Sequence, residues 1–284
     1  LDLDIRAAPI LEPTSEELPQ SVAGEPKAVI VMHDVSKLKA LERMKTTFVK
    51  NASHELRTPI TTVKLYTHLL RQTSPGDERW GSYLDALTQE VNDQAQLIED
   101  ILYLSRIYSG YVEKNLRRRP VPVSELTGIV FTRHYAIAQE RGVQLEHQHF
   151  VPPDLGDTEL LVMVDTGQMV AALSYLVDSA IRYTPPGGRV VLETAPGEQD
   201  GRPWVAISVS DTGEAIPEAD IPRAFHYLFR EGDTELQSKR VARTGLRLMI
   251  VKELVTMFGG KLTIESRAGE GNVFTVWLPL VTGR

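Results

Sequence analysis

His54, Glu55 and Thr58 are the residues of this chain whose types and spacing could do chemistry together. They stand in the stretch FVKNASHELRTPITTV, which runs from Phe48 to Val63. A carboxylate next to an imidazole can hold one ring nitrogen protonated and leave the other as a nucleophile near neutral pH. One helical turn after His54, the hydroxyl of Thr58 could position a water at a phosphoryl group on that nitrogen. The stretch therefore predicts a nucleophilic histidine.

A long helix is expected to carry these three residues, because apolar residues recur around them at three- and four-residue steps. This stripe consists of Leu41, Met44, Phe48, Ala52, Leu56, Pro59, Val63, Tyr66 and Leu70. His54 lies outside the stripe and its neighbours on the same helical face are polar, so its imidazole is expected to face water. Pro59 lacks a backbone donor and is expected to bend the helix, which gives it two possible shapes.

The stretch around His54 resembles the H-box of bacterial two-component sensor histidine kinases. The resemblance rests on SHELRTP at residues 53–59, with Phe48 before it. It implies that His54 accepts the γ-phosphoryl group of ATP and passes it to an aspartate on a response regulator. It also implies that Glu55 is the general base, and that Glu55 and Thr58 form the Glu-x-x-Thr pattern used in phosphatase action on the regulator.

Composition is that of an ordinary globular protein: 284 residues, of which 42% are hydrophobic and 24% charged, are enough for two domains. The net charge of −7 gives no support to nucleic-acid binding, and the lack of cysteine excludes disulfides, thiolate catalysis and zinc-thiolate sites. No apolar run approaches the ~18 residues that a membrane helix needs. Because the chain also starts at Leu1 without methionine, we expect a cytoplasmic fragment of a longer protein, in which any membrane anchor lies outside this sequence.

The N-terminal 36 residues are interpreted as a truncated sensor end and linker. Residues 1–25 are acidic and punctuated by proline, which favours a loop or a truncated piece of a domain. The run 28–32 has strand character and is followed by His-Asp-Val-Ser, an ending that resembles the last strand and exit of a PAS sensor domain. An isolated edge strand or a linker is the alternative interpretation.

Two amphipathic helices joined by a short turn predict an antiparallel hairpin. The first is expected to run from Lys37, after the N-cap Ser36, to about Gln72. The stripe of the second helix consists of Leu84, Leu87, Val91, Ala95, Ile98, Leu102 and Ser105. A hairpin alone cannot bury both stripes, so the pattern favours a homodimer that forms a four-helix bundle. Residues 37–115 are thus predicted to be the dimerisation and histidine phosphotransfer domain.

Beyond the hairpin the pattern predicts an α/β domain at residues 121–284. Arg117, Arg118 and Arg119 are interpreted as a solvated linker. Ser124 and Asp165 are expected to cap helices that end near Arg141 and Tyr183. The predicted strands, mainly antiparallel, are 143–150, 160–164, 190–194, 204–209, 262–266 and 273–278. The fold class is therefore multidomain, with an all-α helical hairpin followed by an α/β two-layer sandwich.

The second domain resembles the GHKL (Bergerat-type) ATP-binding domain of the same kinases. The motifs are AIRYTP at 180–185, DTG at 211–213, IP at 216–217, VKEL at 251–254 and GG at 259–260. The resemblance implies ATP and Mg²⁺ as cofactors, with Tyr183 and Arg230 at the pocket. It implies that Asp211 accepts a hydrogen bond from the adenine amino group and that Gly213 gives the backbone room beside the base.

Several positions depart from the family pattern. Where the family has asparagine at two positions four apart, this chain has Tyr175 and Ser179, of which only the Ser179 hydroxyl could hold magnesium. The later glycine box reads RTGLRL at 243–248, so only Gly245 remains of the glycines that let backbone amides approach phosphate.

These departures leave two main interpretations. In one, the chain is a working kinase with divergent ligands, in which Arg230, Arg243 and Arg247 compensate phosphate charge and Ser179 or water completes the metal shell. In the other, it is a pseudokinase that binds a response regulator as a phosphotransfer or phosphatase partner. A purely structural dimeric coiled coil is a third possibility. The expected partners are a second copy, a receiver domain and an upstream sensor domain, with membrane contact only through segments absent from this chain.

Overall fold

The computed structural model describes residues 3–9, 28–34, 36–149, 159–199, 201–225 and 239–281. The chain divides into two compact units, Leu1–Ser53 and His54–Arg284. The strands are β1 (Leu3–Pro9), β2 (Ala28–Asp34), β3 (Arg119–Pro122), β4 (Gln144–His149), β5 (Leu161–Val164), β6 (Arg189–Gln199), β7 (Arg202–Asp211), β8 (Lys261–Arg267) and β9 (Gly271–Pro279). The helices are α1 (Ser36–Gln72), α2 (Glu78–Tyr108), α3 (Tyr111–Lys114), α4 (Val123–Glu140), α5 (Thr166–Tyr183), α6 (Ile221–Ala224) and α7 (Lys239–Met257). Within the described ranges no helix combines the length and apolarity required to cross a membrane.

The first unit contains a two-stranded antiparallel sheet. β1 pairs with β2 so that Leu3 lies opposite Asp34 and Pro9 lies opposite Ala28. The strand predicted at 28–32 is confirmed, but the loop favoured for the N-terminus is wrong at residues 3–9. There Leu3 and Ile5 alternate with charged residues, a period-two pattern that a partner strand stabilises but that is too short to stand out in sequence.

The predicted helical hairpin is present as α1 and α2. α1 covers the predicted extent and continues through Pro59. α2 begins after Asp77, whose side-chain Oδ1 accepts a hydrogen bond from the backbone N–H of Arg79 at 2.9 Å. The rings of Tyr66 on α1 and Tyr83 on α2 lie 6.2 Å apart, which brings the two helices together near the turn.

A five-stranded sheet in the order β4-β6-β7-β9-β8 forms the second domain. β4 runs parallel to β6, and the other neighbours are antiparallel. Alternate residues of the central strands are fully buried, because they face a layer formed by α4, α5 and α7. These buried residues include Val190, Leu192, Val205, Ile207, Val209, Phe274, Val276 and Leu278. The predicted α/β two-layer sandwich is confirmed.

The starts of the helices follow the capping signals only in part. Asp165 caps α5 as predicted, since its Oδ1 accepts from the backbone N–H of Gln168 at 3.1 Å. The cap predicted for α4 at Ser124 is wrong. That helix begins at Val123 after Pro122, whose fixed φ suits the residue that precedes a helix.

The basic run is not the solvated linker that its charge suggested. Arg119 begins β3, which pairs with β5 in a small antiparallel sheet. The Arg117 backbone N–H donates to Asp165 Oδ2 at 2.9 Å, and the Arg118 guanidinium donates to the Met257 carbonyl at 2.9 Å. The three arginine side chains are exposed, as their charge predicts. The charge pattern does not predict the hydrogen bonds and the strand pairing that hold this segment.

Candidate active site

The reactive segment predicted around His54 lies wholly on α1. Glu55 is half-buried and Thr58 is exposed. The hydroxyl of Ser53 donates to the Val49 carbonyl at 2.7 Å, so it is turned back onto its own helix. On a helix His54 and Thr58 are one turn apart and share a face, which is the arrangement that the sequence predicted. Their catalytic roles remain predictions.

Asp211 occupies the end of β7 at an inward-facing position, in step with Val205, Ile207 and Val209. It is 3% exposed. Its Oδ1 accepts two hydrogen bonds, from the Gly213 backbone N–H at 3.0 Å and from Asn272 Nδ2 at 2.9 Å. A buried carboxylate needs donors of this kind, and they fix its orientation at the end of the sheet.

Asn272 is the anchor of this corner, and sequence reasoning missed it. It lies opposite Asp211 in the register of β7 and β9 and is 1% exposed. Its amide also donates to the Glu214 carbonyl at 3.0 Å, and its Oδ1 accepts from Ser266 at 2.8 Å and from the Ile216 backbone N–H at 3.1 Å. The sequence does contain a pattern that indicates Asn272. It is a polar residue in an alternating series of inward-facing positions that continues with Phe274, Val276 and Leu278.

Two glycines make room at the same corner. A Cβ on Gly213 would lie 2.5 Å from the carbonyl oxygen of Tyr183, so any side chain there would displace the backbone. A Cβ on Gly271 would lie only 1.9 Å from the carbonyl oxygen of Asp211, and Gly271 has φ +91°. The structure therefore brings Asp211, Gly213 and the backbone of Tyr183 together, and their role in binding ATP remains a prediction.

Gly245 and Arg247, which were predicted at the phosphates, lie in the interior of α7. The helix starts at Lys239, so the backbone amides of both residues fall beyond its first turn and donate within the helix. In this conformation they do not form an open cradle for phosphate. Arg230 lies outside the described residues.

The Arg247 side chain is held by two carboxylates. Its Nε donates to Asp100 Oδ2 at 3.1 Å and its Nη1 donates to Asp178 Oδ2 at 2.6 Å. The guanidinium also lies over the ring of Tyr175, 5.5 Å from the centroid. Asp100 Oδ1 accepts from Gln96 at 2.9 Å and from the Tyr175 hydroxyl at 3.3 Å. We call Asp100, Tyr175, Asp178 and Arg247 the arginine cluster.

The electrostatics of the arginine cluster follow from its burial. Burial raises the pKa of the Asp100 carboxyl, and the guanidinium of Arg247 opposes that rise. Burial and the neighbouring Asp100 also raise the pKa of the Tyr175 hydroxyl, which stays protonated and serves as a donor. Burial alone would lower the pKa of Arg247, but the carboxylates of Asp100 and Asp178 outweigh it and raise the pKa. Arg247 is thus a permanent cation in this cluster.

Ser179, the residue predicted to hold Mg²⁺, does not fit that ion in this arrangement. Ser179 is 5% exposed, and a hydroxyl is a poor substitute for a carboxylate or amide oxygen. The neighbouring Asp178 carboxylate is bonded to Arg247, and Tyr175 faces Asp100. Across the described residues no three histidine, cysteine, aspartate or glutamate side chains are grouped to hold a metal. The use of Mg²⁺ as a cofactor remains a prediction from the family resemblance.

The second helix presents two different faces. Asp100, Leu104 and Ile107 are buried. Most of the stripe that the sequence assigns to the core of a dimeric bundle is exposed in the single chain: Leu84, Val91, Ile98 and Leu102 are between 43% and 52% accessible. Among the described residues nothing covers the apolar face, and the partly polar face is the covered one.

Two family models match the chain. Residues 44–110 match the His Kinase A (phospho-acceptor) domain, and residues 164–282 match the histidine kinase-, DNA gyrase B- and HSP90-like ATPase. The chain belongs to the two-component sensor histidine kinases. His54 lies in the phospho-acceptor match and Asp211 in the ATPase match, so the order of domains in the histidine kinase is the order predicted.

Proteins that are similar to this chain are sensor proteins and histidine kinases. The chain is 35% identical over 240 residues to the sensor protein DivL of Caulobacter vibrioides, covering 84% of this chain and 28% of DivL. It is 28% identical over 252 residues to the sensor histidine kinase WalK of Bacillus subtilis, covering 88% of this chain and 39% of WalK. The chain therefore spans well under half of these relatives. The fold is similar to that of histidine kinase ThkA in a crystal structure with response regulator protein TrrA, with a TM-score of 0.59, 19% identity, and coverage of 98% of this chain and 75% of that one.

Proposed function

We propose that this chain is the kinase core of a sensor histidine kinase that transfers the γ-phosphoryl group of ATP to His54 and then to an aspartate of a response-regulator receiver domain. One observation carries the proposal: an uninterrupted SHELRTP segment within the phospho-acceptor match accompanies a buried, doubly hydrogen-bonded Asp211 within the ATPase match. The ThkA structure with TrrA supports a receiver domain as the partner.

The proposed chemistry assigns each reactive residue one task. An imidazole nitrogen of His54 bonds to the γ-phosphorus while the bond from that phosphorus to the bridging oxygen breaks, and ADP leaves with the electron pair. Glu55 takes the proton from the other ring nitrogen, which leaves the imidazole ring neutral and the negative charge on the phosphoryl group. Thr58 orients a water when the chain removes phosphate from the regulator. Asp211 accepts a hydrogen bond from the adenine amino group and so selects the base.

The proposed assembly is a homodimer joined through the hairpin. Leu84, Val91 and Ile98 follow one another at seven-residue steps and are all exposed in the single chain. Residues seven apart lie on one helical face, which is the repeat of helices packed in a bundle. A second copy would cover this face and complete a four-helix bundle. We also propose that an upstream sensor domain acts on this hairpin and that the kinase core is cytoplasmic.

Labelling with [γ-³²P]ATP tests the phosphoryl-acceptor role. We expect the chain to become labelled and His54→Gln to abolish the label, because glutamine has no nucleophilic ring nitrogen. His68→Gln is the matched control, since His68 is an exposed histidine on the same helix. Equal labelling of the wild type and His54→Gln would reject the assignment.

The pseudokinase interpretation is the second candidate, and the arginine cluster favours it. Arg247 donates a hydrogen bond to Asp178, and Gly245 lies inside a helix. In this conformation few donors are therefore available to bind the phosphates of ATP. In that case the intact segment around His54 would serve phosphotransfer or phosphatase action on a regulator. Label that appears only on a variant with Ser179→Asn and Arg247→Gly would favour this candidate over a working kinase.

A further inference from the structure

We propose that Arg247 is the hub of an interdomain latch that holds the ATP-binding domain against α2. Asp100 belongs to the phospho-acceptor match at 44–110, whereas Arg247 belongs to the ATPase match at 164–282. The ion pair between them therefore joins two domains. The latch goes beyond the proposed function, because it describes how the domains are held and requires no reaction.

The burial of the ion pair distinguishes it from surface contacts. The side chains of Arg247 and Asp100 are only 13% and 5% exposed. Exposed ion pairs contribute little to stability, but breaking a buried pair leaves an uncompensated charge and is strongly unfavourable. Asp100 has donors on both oxygens, from Gln96, Tyr175 and Arg247. The two charges are thus paired and hydrogen-bonded while the domains are docked. A small separation that breaks the ion pair without exposing the charges to water is unfavourable.

Two residues of the ATP-binding domain orient the guanidinium of Arg247 towards α2. Asp178 lies on α5 and binds Nη1, which leaves Nε directed at Asp100. Tyr175, one turn before Ser179 on the same helix, lies beneath the guanidinium and donates its hydroxyl to Asp100. Tyr175 and Arg247 are two of the positions where the sequence departs from the family pattern. Their side chains have a shared use in this structure, which is contact with α2.

Further contacts across the same boundary extend the latch along α2. Arg182 on α5 forms an ion pair with Asp93 at 3.0 Å, and the Tyr103 hydroxyl contacts Gln168. Tyr108 donates to Glu253 on α7 at 3.3 Å. Asp93, Asp100 and Tyr108 are spaced at seven and eight residues, so one face of α2 makes all of these contacts.

A distance measurement between the domains tests the latch without nucleotide. The chain has no cysteine, so Thr88→Cys on α2 and Glu193→Cys on β6, both exposed, give two sites for spin labels. The labelled chain is diluted with unlabelled chain so that electron double resonance reports distances within one protomer. We expect one narrow distance in this parent. Arg247→Gln and Asp100→Asn are expected to broaden or shift it, and to raise the detached population about five-fold or more.

Arg119→Gln is the matched control, since Arg119 forms a 2.9 Å ion pair with Glu125 inside the ATP-binding domain. Its distance distribution is expected to equal that of the parent. Distributions for Arg247→Gln and Asp100→Asn that equal the control would overturn the latch. If either variant fails to fold, Arg247→Lys decides the question: lysine keeps the charge but cannot bind both carboxylates in a fork, so broadening supports the latch and an unchanged distance overturns it. Because no phosphoryl transfer is measured, failure of the proposed function would leave this result intact.

Discussion

Gly271→Ala is expected to destabilise the ATP-binding domain by about 3 kcal/mol, because two costs add at this position. Its φ of +91° is unfavourable for a residue with a side chain, and the new Cβ would lie 1.9 Å from the carbonyl oxygen of Asp211. That oxygen belongs to the backbone of β7, so no side-chain rotation can relieve the overlap. Urea unfolding followed by the fluorescence of Trp204 and Trp277, which lie on β7 and β9, measures the loss.

Gly269→Ala is the control that separates these two costs. Gly269 also has a positive φ, +82°, but a Cβ there would meet no atom within 4 Å. We expect it to cost about 1 kcal/mol, the backbone contribution alone. Equal losses for the two variants would show that the approach of Gly271 to Asp211 is not as close as the structure has it.

Asp211→Asn is expected to lower the affinity for ATP about ten-fold or more and to narrow the preference for ATP over GTP. A carboxylate can only accept a hydrogen bond, as the adenine amino group requires, whereas an asparagine can also present a donor to the guanine carbonyl. The side chain keeps its size, so it can still accept from Gly213 and Asn272. Calorimetric titration with each nucleotide measures both affinities.

Glu265→Gln on β8 is the matched control for this loss of charge, because Glu265 is exposed on the same sheet. Its nucleotide affinities are expected to equal those of the wild type. If Asp211→Asn binds ATP and GTP as the wild type does while the domain melts normally, Asp211 does not recognise the base.

The elements that the sequence predicted well are those with local signals. Periodicity located α1 and α2, and Asp165 capped α5 as its position before an apolar run indicated. The corner around Asp211 could be predicted because DTG is a contiguous motif that ends a strand. In each case neighbours in sequence are also neighbours in space.

Contacts between distant segments could not be predicted in the same way. Asp100 and Arg247 are 147 residues apart, and nothing near either residue indicates the other. A cation in a glycine box predicts a phosphate ligand, whereas no pattern near Arg247 indicates a buried carboxylate from another domain. On α2, periodicity identifies an apolar face, but the second copy that is predicted to cover this face is not part of a single chain.

The location of the phosphoryl group is the most direct test of the central claim. After incubation with ATP, trypsin cleavage at Lys50 and Arg57 should release the peptide 51–57, NASHELR, whose mass is measured before and after mild acid. We predict one phosphate on this peptide that acid removes, because a phosphorus–nitrogen bond to His54 hydrolyses in acid whereas an ester on Ser53 survives. An unmodified peptide with phosphate elsewhere in the chain, or a phosphate that resists acid, would contradict the account.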